Sequence, residues 1–488
     1  MGNAARGGGW ALGAGLLALG LSGACRPALD PAAAGTPAPL CAAWAAAANA
    51  RGVALRDLSA LPEDAAAFPE GVASGDVDAT RAVLWTRHAG TRATRLWVLE
   101  RGEPPARALY RGVALDAAAC PPNDAGLIKM DVGGLVPGAR YDFAFVDLDD
   151  GGGSGGGSAG GDRGGSDGGS SGGAPVARSR VGHFRAALEP GARAPLSFVA
   201  TADANGAMAP FALLASAAAA APDFVVHLGD TVYADEALTR DDYRAFYAAN
   251  WSDPALQALL AAAPVYATWD DHEVFNSWDP ETIDPVQLDA ARGAFLEHLP
   301  VRTPAGAPAR LWRSFAWGDT VEVFVLDCRG ERRASEGLFM SAAQMQWLKD
   351  GLSRSTATFK IVVTSVPVSA LGGPLAFDRW EAYAQRLEIL GYVAAQGLTG
   401  VFWLTADLHM ALVAALPYGG AEIGVGPIAA GLHPDSAARY GEVPAVRYAA
   451  ALRNYALITL DPLAAPPTLT LSVRATDGIE VHHDVFTP

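Results

Sequence analysis

Lysine is nearly absent from this chain of 488 residues: only Lys129, Lys349 and Lys360 occur. Arginine does not make up the balance, because 36 basic residues stand against 52 acidic ones, a formal net charge of −16. A protein that coats nucleic acid grips phosphates with clusters of Lys and Arg, and no such cluster is evident, so specific nucleic-acid binding is excluded. Cysteine is also scarce, with Cys25, Cys41, Cys120 and Cys328 alone. No Cys-x-x-Cys or Cys/His spacing marks a zinc knuckle, and four scattered cysteines predict no disulfide framework. Cys328 follows the apolar run that starts at Val321 and reads as a small buried hydrophobe. Long apolar runs are missing beyond the first 25 residues, so no membrane-spanning segment is expected in the mature protein.

What is present is a half-hydrophobic composition (50%) with 18% charged residues and a mean hydropathy of +0.16, which excludes a disordered or fibrous chain and allows two or three domains. Residues 1–25 have the layout of an export signal: Arg6, an apolar stretch from Trp10 to Leu21, then small residues before Cys25. A cysteine directly after small residues resembles a bacterial lipoprotein site and predicts a lipid anchor at Cys25. The expected location is periplasmic, cell-surface or secreted. Residues 26–67 read as an N-terminal linker.

Residues 68–190 carry short strand candidates, among them Ala82–Thr86, Arg95–Leu99 and the alternating stretch Tyr141–Val146. A Leu-x-Pro-Gly turn feeding Tyr141 resembles the tyrosine corner of immunoglobulin/fibronectin-III-like β-sandwiches and predicts one here. Residues 151–173 hold fourteen of the 55 glycines. They bury nothing that would offset their ordering entropy and are expected to form an overgrown hairpin loop within that sandwich.

From residue 195 to 488 short apolar strands alternate with longer helical stretches, the pattern of an α/β domain. Strands are expected at 196–201, 223–228, 264–269, 321–326, 359–364 and 401–405, and helices at 210–220 and 341–350, the latter capped by Ser341. Four of these strands run straight into carboxylates: Asp203; Gly229-Asp230-Thr-Val-Tyr233; Asp270-Asp271-His272-Glu273; and Asp407-Leu-His409. Ligands of α/β sheets bind beyond the carboxyl ends of strands, so the four endings can converge. Each alone also reads as a turn, a helix cap or a solvated loop. Carboxylates gathered together repel, and a polyvalent cation relieves that repulsion, so the four in order point to a metal site.

Gly229-Asp230-x-x-Tyr233, Trp269-Asp-Asp-His-Glu273 and Leu404-Thr-Ala-Asp407-Leu-His409 resemble the blocks of the alkaline phosphatase D (PhoD-like) metallophosphatases, within the calcineurin-like metallophosphoesterase superfamily. Phe68-Pro-Glu-Gly-Val-Ala-Ser-Gly-Asp76, Leu84-Trp-Thr-Arg87, Leu326-Asp-Cys-Arg-Gly-Glu-Arg332 and Gln344-x-x-Trp347-Leu348 extend the resemblance along most of the chain. The resemblance implies a four-layer α/β/β/α catalytic sandwich with a multinuclear centre that hydrolyses small phosphate mono- or diesters by metal-activated water. It implies Asp230 as the bridge between two metals, with Asp203, Tyr233 and His409 around the first. The Tyr233 phenolate favours iron(III) there. Asp271 and Asp407 then supply oxygen to calcium or another divalent cation, with magnesium, manganese and zinc as alternatives. His272 is the expected proton donor, and Arg329, with Arg332 behind it, the expected phosphate contact. Asn276 either lines the mouth or closes the turn before Trp278. Ala202 stands where the family often carries a cysteine ligand, so either Asp203 takes that place or the iron site is altered, and Ala406 replaces a usual glycine.

Among the remaining histidines, His227 is expected to be a satisfied core residue. His88, His298 and His433 lack a partner pattern, and the His482-His483 pair fits strand alternation. Two other readings are a calcium-dependent phosphodiesterase of phospholipase type on the same scaffold, and a catalytically impaired surface-binding protein.

Overall fold

The computed structural model describes residues 40–44, 57–102, 110–149, 173–304, 307 and 309–488. The predicted export segment with Cys25, most of the linker and nearly all of the Gly/Ser tract lie outside the described residues.

Two sheets face each other in the N-terminal part. One holds the strands Tyr110–Ala118, Thr94–Arg101 and Arg140–Leu148, with Pro175–Arg178 and Gly182–Arg185 both pairing antiparallel to the last of these. Arg140–Leu148 and Pro175–Arg178 are thus antiparallel neighbours on either side of the glycine tract. The other comprises Leu40–Trp44, Leu127–Gly133, Arg81–Arg87 and Val72–Gly75. Leu84, Leu96, Val98, Phe143 and Phe145 fill the space between them. The Tyr141 hydroxyl accepts the Val136 N–H at 2.8 Å, tying the strand start to the turn before it.

The strand Arg81–Arg87 is buried along five consecutive residues rather than alternately, because its second face is covered too. Trp85 lies in a different core, and its indole N–H donates to the Glu297 carbonyl at 2.7 Å. The sheet itself continues into the α/β part through the pairing of Gly75 with Val265. A side chain at Gly75 would sit 2.6 Å from the Val265 carbonyl, so only glycine permits that approach. Arg313 on Asp76 and Arg302 on Asp131, both at 2.8 Å, add ion pairs across the same junction.

The continued sheet runs through Val265–Ala267, Phe224–His227 and Leu196–Thr201, all parallel, and ends in the antiparallel strands Tyr455–Asp461, Thr468–Arg474 and Glu480–Phe486. A second sheet of seven strands has Val321–Val325, Phe359–Val363 and Val401–Thr405 in parallel at its centre. Phe198, Val226, Val323, Ile361 and Leu404 pack between these two sheets. The helices Arg240–Trp251, Pro254–Ala262 and Pro285–His298 cover the outer face of the first, and Ala342–Arg354 and Gln385–Ala395 that of the second. Ser341 caps its helix as expected, accepting the Gln344 N–H at 3.1 Å. Strands enclosed on both sides must be apolar on both sides, which is why they read as continuous runs.

Cys41 and Cys120 form a disulfide across 79 residues, contrary to the expectation that the four cysteines make no disulfide framework. The parallel pairing of Leu40–Trp44 with Leu127–Gly133 brings the two together, a contact no spacing rule reveals. Closing a loop of that length removes chain entropy worth about 4.5 kcal/mol on the loop-closure model. Cys328 is buried, as expected, with its sulfur 2.9 Å from the Thr364 hydroxyl.

Candidate metal centre

Three of the four strands that end in carboxylates do so through a backbone most residues avoid. Asp203, Asp230, Asp407 and His409 have φ values of +58°, +54°, +64° and +54°. Left-handed conformations cost about 1–2 kcal/mol for a residue with a side chain, and Asp tolerates them better than most. Four such residues at neighbouring strand ends mark strain gathered at one place, the usual sign of a functional site. Gly229, at φ +107°, makes the turn before Asp230, and a Cβ on it would lie 2.7 Å from that of Asp270.

The strand ends bring together three overlapping groups of ligand atoms, each with its members within 4.8 Å of one another: Asp203, Asp230 and His409; Asp230, Asp271 and His272; Asp270, Asp271 and Asp407. Asp230 belongs to the first two and Asp271 to the last two. The Tyr233 hydroxyl, 3.0 Å from His409 Nε2, joins the first. Asp203, Asp230, Asp270 and Asp271 are all nearly inaccessible to solvent. Yet Asp203 Oδ2, Asp230 Oδ2, Asp270 Oδ2, Asp271 Oδ1 and His409 Nδ1 have no hydrogen-bond partner among the described residues. Buried polar atoms are almost always paired, so five orphans in one spot are atoms whose partner is not protein. Carboxylate oxygen and imidazole nitrogen suit cations, and the residues present fit a polynuclear metal site.

Electrostatics agree. Burial first, then the charges of Asp271, Asp270, Glu273 and Asp203, push the Asp230 carboxyl far above its ordinary range. Burial and Asp270 do the same to Asp203, and burial with Asp270 and Asp271 to Asp407. Such a cluster resists full ionisation unless positive charge enters it. Burial, then His433, holds the His409 imidazole neutral down to about 4, the form in which it ligates a metal.

Around this cluster lies a supporting layer. Glu273 is fully buried, accepting the Thr231 N–H at 2.7 Å and hydroxyl at 2.8 Å on one oxygen and the Asp270 N–H at 2.9 Å on the other. It thereby clamps the loop of Asp230 to the loop of Asp271. His272 Nδ1 lies 2.8 Å from both oxygens of Asp235, and its ring stacks on Tyr233 at 3.9 Å. Burial opposes the imidazolium, but the Asp235 hydrogen bond and the charges of Asp271, Asp235 and Asp270 outweigh it and raise the His272 pKa. Asp235 also accepts the Asn276 N–H at 2.7 Å, so Asn276 holds the turn while its side chain is exposed. Ser277, at φ +52°, donates its N–H to Asp271 Oδ2 at 2.6 Å.

Arg329 is held by protein carboxylates, and its Nη2 has no hydrogen-bond partner among the described residues. It is fully buried behind the cluster, donating from Nε to Asp270 at 2.7 Å and from Nη1 to Asp378 at 2.6 Å, with Asp271 3.7 Å from Nη2. Arg332 binds the same Asp378. In this arrangement both guanidinium groups face protein carboxylates. Both follow the strand Val321–Val325, and only the tertiary fold shows Asp378 arriving from 46 or more residues away.

Asp270, Asp235, Asp378 and His433 are the site neighbours that sequence reasoning left without a role. Asp270 sat in a motif already singled out, whereas Asp235 and Asp378 had no signal. His433 does have a partner: its ring stacks on that of His409 at 5.1 Å and 13°. His227 is buried as expected but not satisfied, because Nδ1 has no partner among the described residues. His482 lies on an edge strand, 2.9 Å from Asp484. Ala202 is enclosed in the core between the two sheets.

Residues 198–462 match the family model of the PhoD-like phosphatase, and residues 53–159 match that of the PhoD-like phosphatase N-terminal domain. Alkaline phosphatase D of Bacillus subtilis (strain 168) is 30% identical in a match covering 38% of this chain; the chain spans 41% of that relative's length. A solved structure of PhoD superposes with a TM-score of 0.70 at 23% identity, covering 86% of this chain and 89% of the other. Purple acid phosphatase PPD1 from yellow lupin (Lupinus luteus) seeds has a TM-score of 0.58 at 12% identity, covering 86% and 73%. These two likenesses are likenesses of fold.

Proposed function

The chain belongs to the PhoD-like phosphatase family, and on that footing we propose that it is an exported, metal-dependent phosphoric ester hydrolase acting on small mono- and diesters. The observation that carries the reading is the set of three ligand groups linked through Asp230 and Asp271, with five orphaned buried donor atoms among them. Asp203, Asp230, Tyr233 and His409 would hold one cation, and a phenolate among them suits iron(III). Asp230, Asp271 and Asp407, joined by Asp270, would hold calcium or another divalent cation through oxygen. When bound, such cations supply Lewis acidity and lower the pKa of water.

The chain's own side chains do the rest. Asp235 holds His272 at Nδ1, which leaves Nε2 as the atom that donates a proton to the departing ester oxygen. Tyr233 keeps the imidazole plane fixed by stacking. Glu273 accepts the Asp270 backbone N–H and Arg329 donates to the Asp270 carboxylate, so Arg329 also positions that carboxylate.

The helix, sheet, sheet and helix layers support a four-layer α/β/β/α catalytic sandwich over residues 195–488. The facing sheets with the Tyr141 hydrogen bond support an immunoglobulin/fibronectin-III-like sandwich over 68–190. Export is supported by the Cys41–Cys120 disulfide, since such bonds persist in oxidising compartments. A lipid anchor at Cys25 belongs to the same reading. Among the described residues no helix is long and apolar enough to cross a membrane.

One observation favours the diesterase or phospholipase variant. Met208, Phe275, Leu375, Phe377 and Leu432 are exposed on the loops that carry Asp203, His272, Asp378 and His433, which suits an ester with an apolar group. A purely surface-binding role fits poorly with a retained ligand set.

The test is to purify the full chain, measure its bound metals, and assay p-nitrophenyl phosphate and bis-p-nitrophenyl phosphate with and without chelator. Metal-dependent turnover of one or both is expected, and Asp230→Ala is expected to lose both metals and activity while staying folded. A protein that binds no metal and cleaves neither ester refutes the proposal.

A further inference from the structure

Five arginines among the described residues are buried: Arg240, Arg244, Arg329, Arg332 and Arg379. Four meet carboxylates: Arg240 and Arg244 on Glu297, Arg329 on Asp270 and Asp378, Arg332 on Asp378. Arg379, 2% exposed, makes no ion pair with any described residue. Its Nη1 donates to the Tyr440 hydroxyl at 2.9 Å, its guanidinium lies 5.6 Å from the Tyr440 ring centroid, and its Nε has no partner. A neutral hydroxyl and a ring face compensate a buried cation only in part. Arg439 approaches the same ring at 5.0 Å and also lacks a carboxylate among the described residues. It lies against Gly373, where a Cβ would stand 2.9 Å from its Nη2.

The location ties this pair to the centre described above. Arg379 follows Asp378, the anchor of Arg329. Tyr440 packs with Leu408, which stands between Asp407 and His409. The helix Pro434–Gly441 that carries Tyr440 and Arg439 directly follows His433, whose ring stacks on His409. Seven residues from His433 to Tyr440 span about 10 Å at 1.5 Å per residue.

We propose that Arg379 and Arg439 form an anion-binding subsite beside the metal centre, which receives a second anionic group of the substrate about 10 Å along the helix from His433. The missing counter-charge of Arg379 is then carried in by the ligand, and planar guanidinium groups suit phosphate or carboxylate oxygens. The inference rests on the phosphatase reading and adds a substrate class to it: esters with two anionic groups.

The experiment compares hexyl phosphate, hexane-1,6-diol bisphosphate and 6-carboxyhexyl phosphate as substrates of the full-length, metal-loaded enzyme. We expect kcat/KM to be at least about tenfold higher for one or both dianionic-ended esters, the two arms separating phosphate from carboxylate. In Arg379→Met that ratio falls to about one, and Arg379→Lys keeps part of it. Equal kcat/KM for all three esters in the wild type, or a preference undiminished in Arg379→Met, overturns the inference while leaving the phosphatase reading intact. If none of the esters is cleaved, the phosphatase reading fails, and titration calorimetry with the bisphosphate decides the subsite: binding about tenfold weaker in Arg379→Met supports it, equal binding overturns it. Should Arg379→Met fail to fold, the exposed variant Arg439→Gln takes its place, with a reduced preference expected and an unchanged one overturning the proposal.

Discussion

Gly426→Ala is the sharpest test of the metal centre, because it adds one methyl group and removes no functional atom. Gly426 has φ +89°, and a Cβ there would lie 2.2 Å from Asp203 Oδ2, so a contact of 3.0 Å requires a retreat of about 0.8 Å. Metal ligands tolerate displacements of only about 0.2 Å, so Asp203 is expected to leave its place. The left-handed backbone adds about 1–2 kcal/mol and the overpacking about 1–3 kcal/mol, which lowers stability without abolishing the fold. Disturbing the support of a metal ligand typically costs 10–100-fold in metal affinity, and that range is the expectation here. The assay is metal content by mass spectrometry across a chelator titration, read alongside the melting temperature and p-nitrophenyl phosphate turnover. Gly391→Ala is the control: Gly391 lies within the helix Gln385–Ala395 with nothing within 4 Å of its added Cβ, and a stability gain of about 0.5–1 kcal/mol is expected. Wild-type metal affinity and turnover in Gly426→Ala would refute the placement of Asp203 in the metal shell.

Asp235→Asn is expected to lower kcat about 10–100-fold with metal content retained, since a charge-assisted hydrogen bond to His272 is lost; unchanged kcat would remove His272 from the proton transfer. Glu273→Gln turns an amide donor toward one of the N–H groups of Thr231 or Asp270, and a loss of about 1–3 kcal/mol is expected in urea denaturation. A midpoint equal to wild type would count against the clamp. The chelated protein should also respond to pH in a defined direction. Asp203, Asp230 and Asp407 have folded pKa values raised well above the ordinary 3.8, so the folded state holds protons that the unfolded state releases. Their contribution is fully present below about pH 4 and is lost as pH rises through the raised values. The urea midpoint of chelated protein is therefore expected to fall between pH 5 and pH 8, and added cation to reverse the fall. A midpoint that does not change with pH would contradict the clustering of uncompensated carboxylates.

The legible part of this protein was the part written in local pattern. Strand runs at 196–201, 321–325, 359–363 and 401–405 showed as apolar stretches because sheets covered on both faces need apolar residues on both sides. Ser341 announced its helix through a side chain that bonds only three residues on. Asp203, Asp230, Asp271, Asp407 and His409 could be named because a strand end followed by a carboxylate is a local event, repeated four times. Less legible was whatever depended on who meets whom. Arg329 could be named from its type and its place after a strand, but not that Asp270 and Asp378 converge on it from distant loops. Cys41 and Cys120 met only because a short strand pairs parallel to Leu127–Gly133. Arg81–Arg87 looked like half of a sandwich strand, while its second face packs beneath the helices of the α/β part.

Sequence alone determined the kinds of ligand this chain offers: hard carboxylates, two imidazoles and a phenol, placed at strand ends with little lysine and little cysteine to compete. That follows from chemistry each residue carries wherever it sits. Tertiary structure alone decided the sharing of Asp230 and Asp271 among three groups, the anchoring of Arg329 on Asp270 and Asp378, and the placing of Arg379 without a counter-ion among the described residues. Those are properties of distance and burial, and a charge acquires its meaning in a folded protein from the groups and the solvent that the fold places around it or removes.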